Sequence, residues 1–485
     1  MRNLFRMSLL CISLAAGSSY AAEYLVRFES IGQEQAQFVK AHGGKLEIVS
    51  EPGMLFKWTT TAEVEKSDLP TWAPSVAYIQ PNFVIHTMQN PSLEAVRAAF
   101  KKKMESENPF DDDGGGFDLG GGGYADNPAI KPATRGKTGS DPVLGKAWGM
   151  KQIGAESAWK RTAAGKGIIV AVTDSGVDYN HEDLLNNMWR NSGEIPDNGI
   201  DDDKNGYVDD IVGWDFAMKD NKPYDMTVDL FSLLFGGGNP GHGTHVSGVI
   251  AASLDNGLGV AGVAPKAQIM ALRFITEKGQ GSTDAAIQAI DYAVKNGAKI
   301  INASWGGEKG DEDDKALVEA IERAEKAGVI FCAAAGNGRA DMAKGTSAGF
   351  DNDSDAKPMI PSTLNIENIV SVAAIDVKEQ MGSFSNWGVR SVKLGAPGVQ
   401  VMSTVPGDRY QDTVIDIPFL GMTAHWDGTS MATPHVAGAM ALAWSEHTSW
   451  TYQEVVRSVL DATRSISSLS GKVATGGRLD LAGIK

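Results

Sequence analysis

The sequence predicts an α/β protein whose larger part is a mainly parallel, doubly wound sheet, preceded by a small α+β unit. From about residue 141 onward, short apolar strands alternate with amphipathic helical patterns. Buried parallel strands need crossover helices on both faces, and this alternation supplies them. Before residue 90, alternating apolar residues and one helical stretch predict the separate small unit.

The composition limits the classes of partner. The 485 residues carry a net charge of −16, and most of the acidic excess lies after residue 140. Such a field repels phosphate backbones, which argues against a nucleic-acid partner and leaves room for bound cations. No stretch reaches the roughly 20 apolar residues that span a membrane. We therefore expect a globular monomer with no nucleic acid and no membrane span.

Residues 1–21 have the pattern of a cleaved signal peptide. Two arginines precede the apolar run Leu9–Ala16, and small residues follow at Ser19-Tyr20-Ala21. We expect an exported protein, secreted or periplasmic or otherwise extracellular. Cys11 would leave with the peptide, so Cys332 would remain alone, and its apolar surroundings predict a buried, unreactive thiol.

Residues 22–90 are predicted to form the small unit. Its elements follow the order β-α-β-β-α-β of a ferredoxin-like split unit, a fold that hosts many functions. The predicted segments are strands around Tyr24, Val26 and Phe28, a helix ending at Gly43-Gly44, strands Leu46–Val49 and Met54–Trp58, a helix near Glu63–Leu69, and strands Val76–Ile79 and Phe83–Ile85.

Residues 91–140 are predicted to be a flexible linker. The run Asp111-Asp112-Asp113 and the glycine runs after it are too polar to bury a core, so this region should be open to proteolysis. A metal site on the aspartate run is the alternative.

Residues 141–485 are predicted to contain the sheet. The predicted strands are Gly167–Thr173, Ile269–Phe274, Lys299–Trp305 and Val329–Ala335, and the predicted helices are Ser282–Asn296 and Lys315–Lys326. In such sheets the functional groups gather outside the carboxyl ends of the strands.

Two motifs at strand or helix ends offer an acid and a base. Asp174 follows an apolar strand and precedes a glycine turn, where by itself a turn-capping aspartate would be equally consistent. His242 and His245 lie in a Gly-rich segment just before a helix, where small neighbours allow close approach. A zinc site on the two histidines is the alternative, but no further ligand follows at zinc spacing.

Two further motifs offer a nucleophile and a hydrogen-bond donor. Ser430 lies at the start of a predicted helix, at the positive end of its dipole, and Pro434 is expected in the first turn, where no amide donor is needed. Asn337 ends an apolar strand between glycines and could donate to developing negative charge. Without partners, Ser430 would be a helix cap and Asn337 a turn residue.

Together these motifs resemble the catalytic machinery of the subtilisin-like serine proteases, the subtilase family or peptidase S8, in that family's order Asp, His, Asn, Ser. The resemblance covers essentially all of 141–485. It implies that Ser430 is the nucleophile, His242 the general base and acid, Asp174 the group that orients the imidazole, and Asn337 the oxyanion donor. The implied enzyme is a hydrolase, a serine endopeptidase acting on protein and peptide substrates.

The same resemblance implies how substrate and prodomain bind. Ser304, Trp305 and Gly306 would form the backbone edge with which an extended peptide pairs as an added strand. Residues 23–87 resemble the inhibitory prodomain of the family, an intramolecular inhibitor that assists folding. The protein is therefore expected to be a self-processing zymogen in which 91–140 is cut and 141–485 is the peptidase domain.

The long interval between Asp174 and His242 holds an acidic loop that matches the first half of an EF-hand. The predicted ligands of a structural calcium ion are Asp201, Asp203, Asn205, Tyr207 and Asp209. The twelfth position of that loop is Val212 instead of the usual bidentate glutamate, so Asp210 or another segment would have to complete the shell. A solvated acidic turn is the alternative. No organic cofactor is expected.

Two other function classes stay open from the sequence. One is a proteolytically silent binding protein that kept the fold, and the other is an acyl transferase or peptide ligase that uses the same acyl-enzyme. Because every catalytic position is filled, hydrolysis is the favoured hypothesis.

Overall fold

The computed structural model describes residues 22–61, 75–88, 90–107, 128–134, 138–225, 233–234, 238–310, 314–341, 346–418 and 421–484. The chain divides into two compact units that meet in sequence between Asn82 and Phe83. The predicted signal peptide, the predicted helix near Glu63–Leu69 and the Asp/Gly runs lie outside the described residues. No helix in the described part of the chain is both long and apolar enough to cross a bilayer.

The first unit contains one antiparallel sheet and one described helix. Its elements are β1 (Ala22–Phe28), α1 (Glu34–His42), β2 (Lys45–Ser50), β3 (Leu55–Thr60) and β4 (Val76–Pro81). The strands lie in the order β2-β3-β1-β4. Val26 and Phe28 on β1 pack with Phe38 on α1 and with Phe56 and Trp58 on β3, so the apolar alternation of the sequence becomes the core.

The second unit begins at Phe83 and contains the remaining elements. Its helices are α2 (Pro91–Glu107), α3 (Trp148–Gln152), α4 (Ala155–Trp159), α5 (His242–Ala251), α6 (Thr283–Lys295), α7 (Lys315–Lys326), α8 (Thr429–Glu446) and α9 (Tyr452–Asp461). Its strands are β5 (Val84–Thr87), β6 (Ile169–Asp174), β7 (Gly213–Asp215), β8 (Gln268–Arg273), β9 (Gln280–Ser282), β10 (Ile300–Ala303), β11 (Trp305–Glu308), β12 (Ile330–Ala334), β13 (Arg339–Asp341), β14 (Thr346–Ala348), β15 (Met359–Ile360), β16 (Ile369–Ile375), β17 (Val392–Pro397), β18 (Ser403–Val405), β19 (Arg409–Gln411), β20 (Thr413–Ile417), β21 (Met422–His425), β22 (Arg464–Ser465) and β23 (Gly477–Arg478).

A large sheet organises this unit and confirms the predicted fold class. Its strand order is β22-β23-β17-β16-β12-β10-β6-β8-β7, and its pairs are parallel except the short β22–β23 pair at one edge. The central strands β10 and β12 are buried along their whole length, which is why their sequences are almost continuously apolar. Helices α5 and α8 bury Val246, Ile250 and Val436 in the main core beside the sheet.

Two expectations for residues 83–107 differ from the structure. The predicted strand Phe83–Ile85 forms, as β5, but it pairs with β9 and β11 in the second unit and is absent from the first unit's described sheet. Residues 91–107, assigned to the flexible linker, form helix α2. The glycine and aspartate runs dominate the composition of this region, yet Leu93 and Val96 lie on one helical face and are buried.

Candidate active site

The sheet brings the predicted site residues together at the carboxyl ends of its central strands. Asp174 is the last residue of β6, Ser304 follows β10 and Asn337 follows β12, and these three strands are neighbours. His242 is the first residue of α5, and Ser430 is the second residue of α8. Because parallel strands end on the same side of a sheet, residues far apart in the chain meet here.

Asp174 and His242 form a buried pair. The Nδ1 atom of His242 lies 2.8 Å and 3.0 Å from the two carboxylate oxygens of Asp174, and both side chains are fully buried. A carboxylate only accepts hydrogen bonds, so Nδ1 carries the proton and Nε2 presents its lone pair. That Nε2 atom is buried and has no hydrogen-bond partner among the described residues. The pair therefore offers a base of fixed tautomer.

The hydroxyl of Ser430 points to Ser304 in this structure. Its Oγ donates to the carbonyl oxygen of Ser304 at 3.1 Å, and no hydrogen bond in the described part of the chain joins it to His242. A serine side chain moves between staggered rotamers about one bond, and catalytic hydrogen bonds often form only when substrate binds. One rotamer change of Ser430 would move its hydroxyl away from Ser304.

Pro434 lies in the second turn of helix α8, so the expectation of a first-turn proline is wrong. It is the sixth residue of the helix and removes the amide that would bond to the Ser430 carbonyl. The Oγ of Ser304 donates to that carbonyl instead, at 2.9 Å. Ser304 is thus hydrogen-bonded to both the hydroxyl and the carbonyl of Ser430. The proline makes the second of these bonds possible, because it leaves that carbonyl without its helical partner.

Asn337 is oriented by the start of helix α8. Its Oδ1 accepts hydrogen bonds from the backbone amide and the hydroxyl of Thr429, both at 2.8 Å. Because Oδ1 is held in this way, the amide nitrogen Nδ2 faces Gly428, 3.0 Å from where a Cβ on that glycine would lie. Gly428 has φ of 155°, in the region that favours glycine. The donor end of Asn337 is therefore directed to the segment that carries Ser430.

A second buried carboxylate, Asp225, supports this site and was missed in the sequence. Its oxygens accept from the hydroxyl of Ser175, from the amides of Gly241 and Thr244, and from the hydroxyl of Thr244. These bonds fix the start of helix α5 beside His242. Burial raises the pKa of Asp225 to about 7, and the nearby charge of Asp174 adds to the shift. No sequence motif surrounds Asp225, so only its position in the fold shows its contacts.

The other predicted residues of this region have structural contacts. His245 stacks on Trp426 with ring centroids 4.5 Å apart, and its Nε2 contacts the carbonyl of Val401. Burial lowers the pKa of His245 to about 3, so its ring is neutral. Cys332 is fully buried, as predicted, and burial raises the pKa of its thiol.

The predicted substrate edge is paired with an extended segment of the chain itself. Trp305 and Gly306 on β11 pair antiparallel with Thr87 and His86 on β5. The other side of β5 pairs antiparallel with β9, so β5 lies between two edges. Ile85 and Thr87 are buried, whereas Val84 and His86 are exposed. This alternation is that of a half-buried strand.

The structure gathers only one of the predicted calcium ligands into a cluster of acids. The carboxylates of Glu194, Asp203 and Asp210 offer oxygens within 4.8 Å of one another. Asp210 was considered from the sequence as a completing ligand, whereas Glu194 lies outside the EF-hand spacing. The donor set is made of oxygens alone, the type that calcium and magnesium prefer, and three adjacent negative charges favour a cation.

Of the other predicted ligands, Asp201 and Asp209 bond to backbone amides, and Asn205 meets the cluster through its side-chain nitrogen, which is not a cation ligand. Asp201 accepts from the backbone amides of Asn205 and Gly206, and Asp209 accepts from those of Asn198 and Gly199. The side-chain nitrogen of Asn205 donates to Asp203 and Asp210, and its oxygen accepts from the amide of Tyr207. In a tight loop, aspartate carboxylates can accept hydrogen bonds from nearby backbone amides. The spacing of the ligands in the sequence did not show that these two carboxylates do so.

A parallel sheet with a serine, an imidazole and a carboxylate at one edge is the arrangement found in α/β serine hydrolases. The sequence model of the subtilase family, peptidase S8, matches residues 165–477. The chain therefore belongs to the subtilase family.

Similar proteins agree with this assignment. Thermitase of Thermoactinomyces vulgaris is 32% identical over 344 residues, which cover 71% of this chain and 97% of that protein. Subtilisin-like protease 2 of Plasmodium falciparum is 34% identical over 303 residues, which cover 61% of this chain but only 19% of that protein. The crystal structure of fervidolysin from Fervidobacterium pennivorans, a keratinolytic enzyme related to subtilisin, has a TM-score of 0.64 at 23% identity, covering 97% of this chain and 62% of that one. The last comparison supports the fold.

Proposed function

We propose that this protein is an exported serine endopeptidase, made as a self-processing zymogen, that hydrolyses peptide bonds through an acyl-enzyme on Ser430. The main support is the buried imidazole of His242, whose Nδ1 is held by Asp174 and whose Nε2 has no partner among the described residues. An unassisted serine hydroxyl is a weak nucleophile, and it needs such a base close by.

The proposed reaction uses these side chains in sequence. The hydroxyl of Ser430 turns from Ser304 to His242, gives its proton to Nε2 and attacks the substrate carbonyl. Asp174 stabilises the imidazolium, and the Nδ2 of Asn337 donates to the oxyanion. His242 then protonates the leaving amine, and water releases the acid from the acyl-enzyme by the reverse proton transfers.

The zymogen proposal is supported by strand β5. Residues 84–87 pair with two strand edges in the manner expected of an extended peptide substrate. The first unit, 22–82, leads directly into this strand. We therefore propose that residues 22–87 act as an intramolecular inhibitor, with export directed by residues 1–21 to the periplasm or the exterior.

A serine-directed organophosphonate and product analysis test the function. The processed wild-type protein should form one adduct on Ser430, and mass spectrometry of a cleaved peptide should show hydrolysis. Products joined to an added amine would favour an acyl transferase instead. Protein that neither reacts with the probe nor cleaves peptides would favour the silent binding protein.

Replacement of Asn337 tests the oxyanion role. We expect Asn337→Ala to lower kcat by about 10²–10³, because the donor acts mainly on the charge of the transition state. KM should change little, since the ground-state carbonyl carries less charge. Steady-state kinetics of the processed enzyme measure both constants. A variant with normal kcat would contradict this role, and a thermal melt shows whether the loss of the Thr429 contacts unfolds it.

We also propose a structural calcium ion at Glu194, Asp203 and Asp210. The three carboxylates converge although like charges repel, and Glu194 and Asp210 are buried. A bound cation would offset that repulsion and tie the acidic loop to the segment before it. In this proposal the ion has no part in the chemistry of Ser430.

Removal of calcium should lower the melting temperature of the wild-type protein by several degrees, since a ligand at 100 times its Kd adds about 2.7 kcal/mol. Asp203→Asn should lower the melting temperature in calcium and abolish the effect of a chelator. Asp201→Asn is the matched control, because Asp201 lies in the same loop but outside the cluster. A chelator effect lost in both variants would favour the EF-hand ligands, which include Asp201 as well as Asp203, and no effect in wild type would remove the site.

A further inference from the structure

Strand β5 runs antiparallel to β11 and leads toward Ser304, the residue that contacts Ser430. In the antiparallel pairing of β5 with β11, Thr87 lies opposite Trp305. The next residue, Met88, therefore falls opposite Ser304, whose carbonyl accepts the hydrogen bond of Ser430. The pairing places the backbone of Met88 next to the residue that contacts the nucleophile.

The side chain of Met88 packs against the end of β12, the strand that precedes Asn337. It is 3% exposed and packs with Ala334, at the end of β12, and with Met359. Its Cε lies 2.6 Å from where a Cβ on Gly306 would be, so the missing side chain of Gly306 leaves the room that Met88 occupies. Ala334 is three residues before Asn337. The space beside Gly306 and Ala334 thus holds an unbranched apolar side chain near the end of the strand that leads to Asn337.

The chain is anchored again just after Met88. The Nδ2 of Asn90 donates to the carbonyl of His425 at 2.9 Å, and the Oδ1 of Asn90 caps helix α2 by accepting from the amides of Ser92 and Leu93. The hydroxyl of Ser92 accepts from the amide of His425 at 2.6 Å. His425 precedes Ser430 by five residues, so this anchor is close to the nucleophile in sequence.

Helix α2 then packs on an apolar surface, which we call the leaving-side surface. It consists of Leu233, Leu234, Ile415, Ile417 and Ala424. Leu93 and Val96 of the helix are buried against it. The guanidinium of Arg97 donates to the carbonyls of Leu233 and Gly238 at 2.9 Å and 2.8 Å. The helix is therefore held by apolar burial and by directed hydrogen bonds.

From these contacts we propose that the bond after Met88 is the first bond that the protein cuts in itself, and that the leaving-side surface then retains helix α2. This inference rests on the proposed peptidase function. The leaving segment stays docked, so the first cut alone does not free the cleft. Full activity needs a second cut in the predicted linker after the helix.

The first cut is an ordinary hydrolysis. The Oγ of Ser430 forms an ester with the carbonyl carbon of Met88 as the bond to the nitrogen of residue 89 breaks, and that nitrogen takes the serine proton through His242. Water then cleaves the ester, which leaves a carboxylate on Met88 and restores the hydroxyl of Ser430. The products are a fragment ending at Met88 and a chain beginning at residue 89.

Retention follows from the covalent link that remains. After the first cut, helix α2 is still joined to the rest of the second unit through the linker, so its rebinding is intramolecular and its effective concentration is high. Weak docking contacts are then enough to keep the surface occupied. Once the linker is cut, the helix can dilute away.

The first test locates the cut. N-terminal sequencing and intact mass at early times of wild-type processing should reveal a fragment that starts at residue 89 before any fragment that starts within 108–140. A first new N-terminus within 108–140 would overturn the assignment of the bond.

The second test weakens the docked helix. Val96→Asp places a charge against the leaving-side surface. Arg97→Ala removes the two hydrogen bonds that the guanidinium donates to the carbonyls of Leu233 and Gly238. In protein that has been cut only after Met88, both substitutions should raise the peptidase activity, and Val96→Asp should raise it by at least tenfold. After full maturation, the kcat of both variants should equal that of the wild type. Lys101→Asp is the control, because Lys101 lies on the exposed face of the same helix. Equal time courses for all three variants and wild type would overturn the retention.

The outcomes separate this inference from the proposed function. If wild-type protein processes itself and cleaves peptides but the variants change nothing, only the role of helix α2 fails. If the protein stays uncut and does not react with the organophosphonate even after residues 22–107 are removed by an added protease, the peptidase function fails as well.

Discussion

Ser430→Ala should accumulate as an uncut precursor and lose peptidase activity by a factor on the order of 10⁶, the size of the loss when the nucleophile of subtilisin is removed. Without the hydroxyl no acyl-enzyme forms, and the remaining oxyanion donor and binding contacts give only residual rate. The variant should fold, because among the described residues the hydroxyl makes one hydrogen bond, to the carbonyl of Ser304. The measurements are electrophoresis of the expressed protein and turnover of a fluorogenic peptide.

Ser445→Ala is the matched control for this variant. Ser445 is a buried serine on the same helix, α8, and its hydroxyl bonds to the carbonyl of Leu442 and the amide of Gly165, far from His242 in the sequence. It should process normally and keep its activity within a few fold. A Ser430→Ala protein that matures at the wild-type rate without added protease would mean that another enzyme makes the cut.

The sequence predicted the sheet and the position of its functional edge well because both depend on local patterns. The run before Asp174 is apolar throughout and became β6, and the amphipathic pattern of Lys315–Lys326 became α7 with the same limits. The carboxyl ends of such strands meet by topology alone. Asp174, Ser304 and Asn337 could thus be expected near one another, whereas the position of His242, at the start of a helix, was expected from the family resemblance.

Contacts that depend on orientation or on distant chain segments could not be predicted in this way. The EF-hand spacing suggested Asp201 and Asp209 as ligands, but their carboxylates bond to backbone amides in the same loop. Glu194 joins the acidic cluster from outside that spacing. Asp225 has no motif around it, and its role in holding helix α5 follows from contacts with Ser175 and Thr244.

For strand β5, which precedes Met88, the sequence could likewise predict the strand but not its partners. Its apolar alternation predicted a strand correctly, yet nothing in the alternation says which sheet the strand joins. The structure pairs β5 with β9 and β11 instead of with the sheet of residues 22–82. That single difference makes β5 part of the second unit and places it on the predicted substrate edge.

Asp174→Asn should lower kcat by about 10⁴ while the protein stays folded, because the change alters the proton on His242 and little else. The side-chain oxygen of the introduced asparagine can still accept from the amide of Ser175, which lies 2.7 Å from Oδ1 of Asp174 in the wild type. The side-chain nitrogen of that asparagine, however, would donate to Nδ1 of His242. The imidazole proton must then move to Nε2, and the atom that should remove the proton of Ser430 becomes a donor.

An orienting role of Asp174 can be separated experimentally from a merely structural one. Asp178→Asn is the control, since Asp178 is also a buried carboxylate in the following turn but bonds to the amides of Asn180 and Gly407 rather than to a histidine. Both variants should melt near the wild-type temperature, and only Asp174→Asn should lose kcat and organophosphonate labelling together, with KM nearly unchanged. If Asp174→Asn lost activity only in proportion to a loss of folded protein, the tautomer of His242 would not be what Asp174 controls, and the proposed general base would need another explanation.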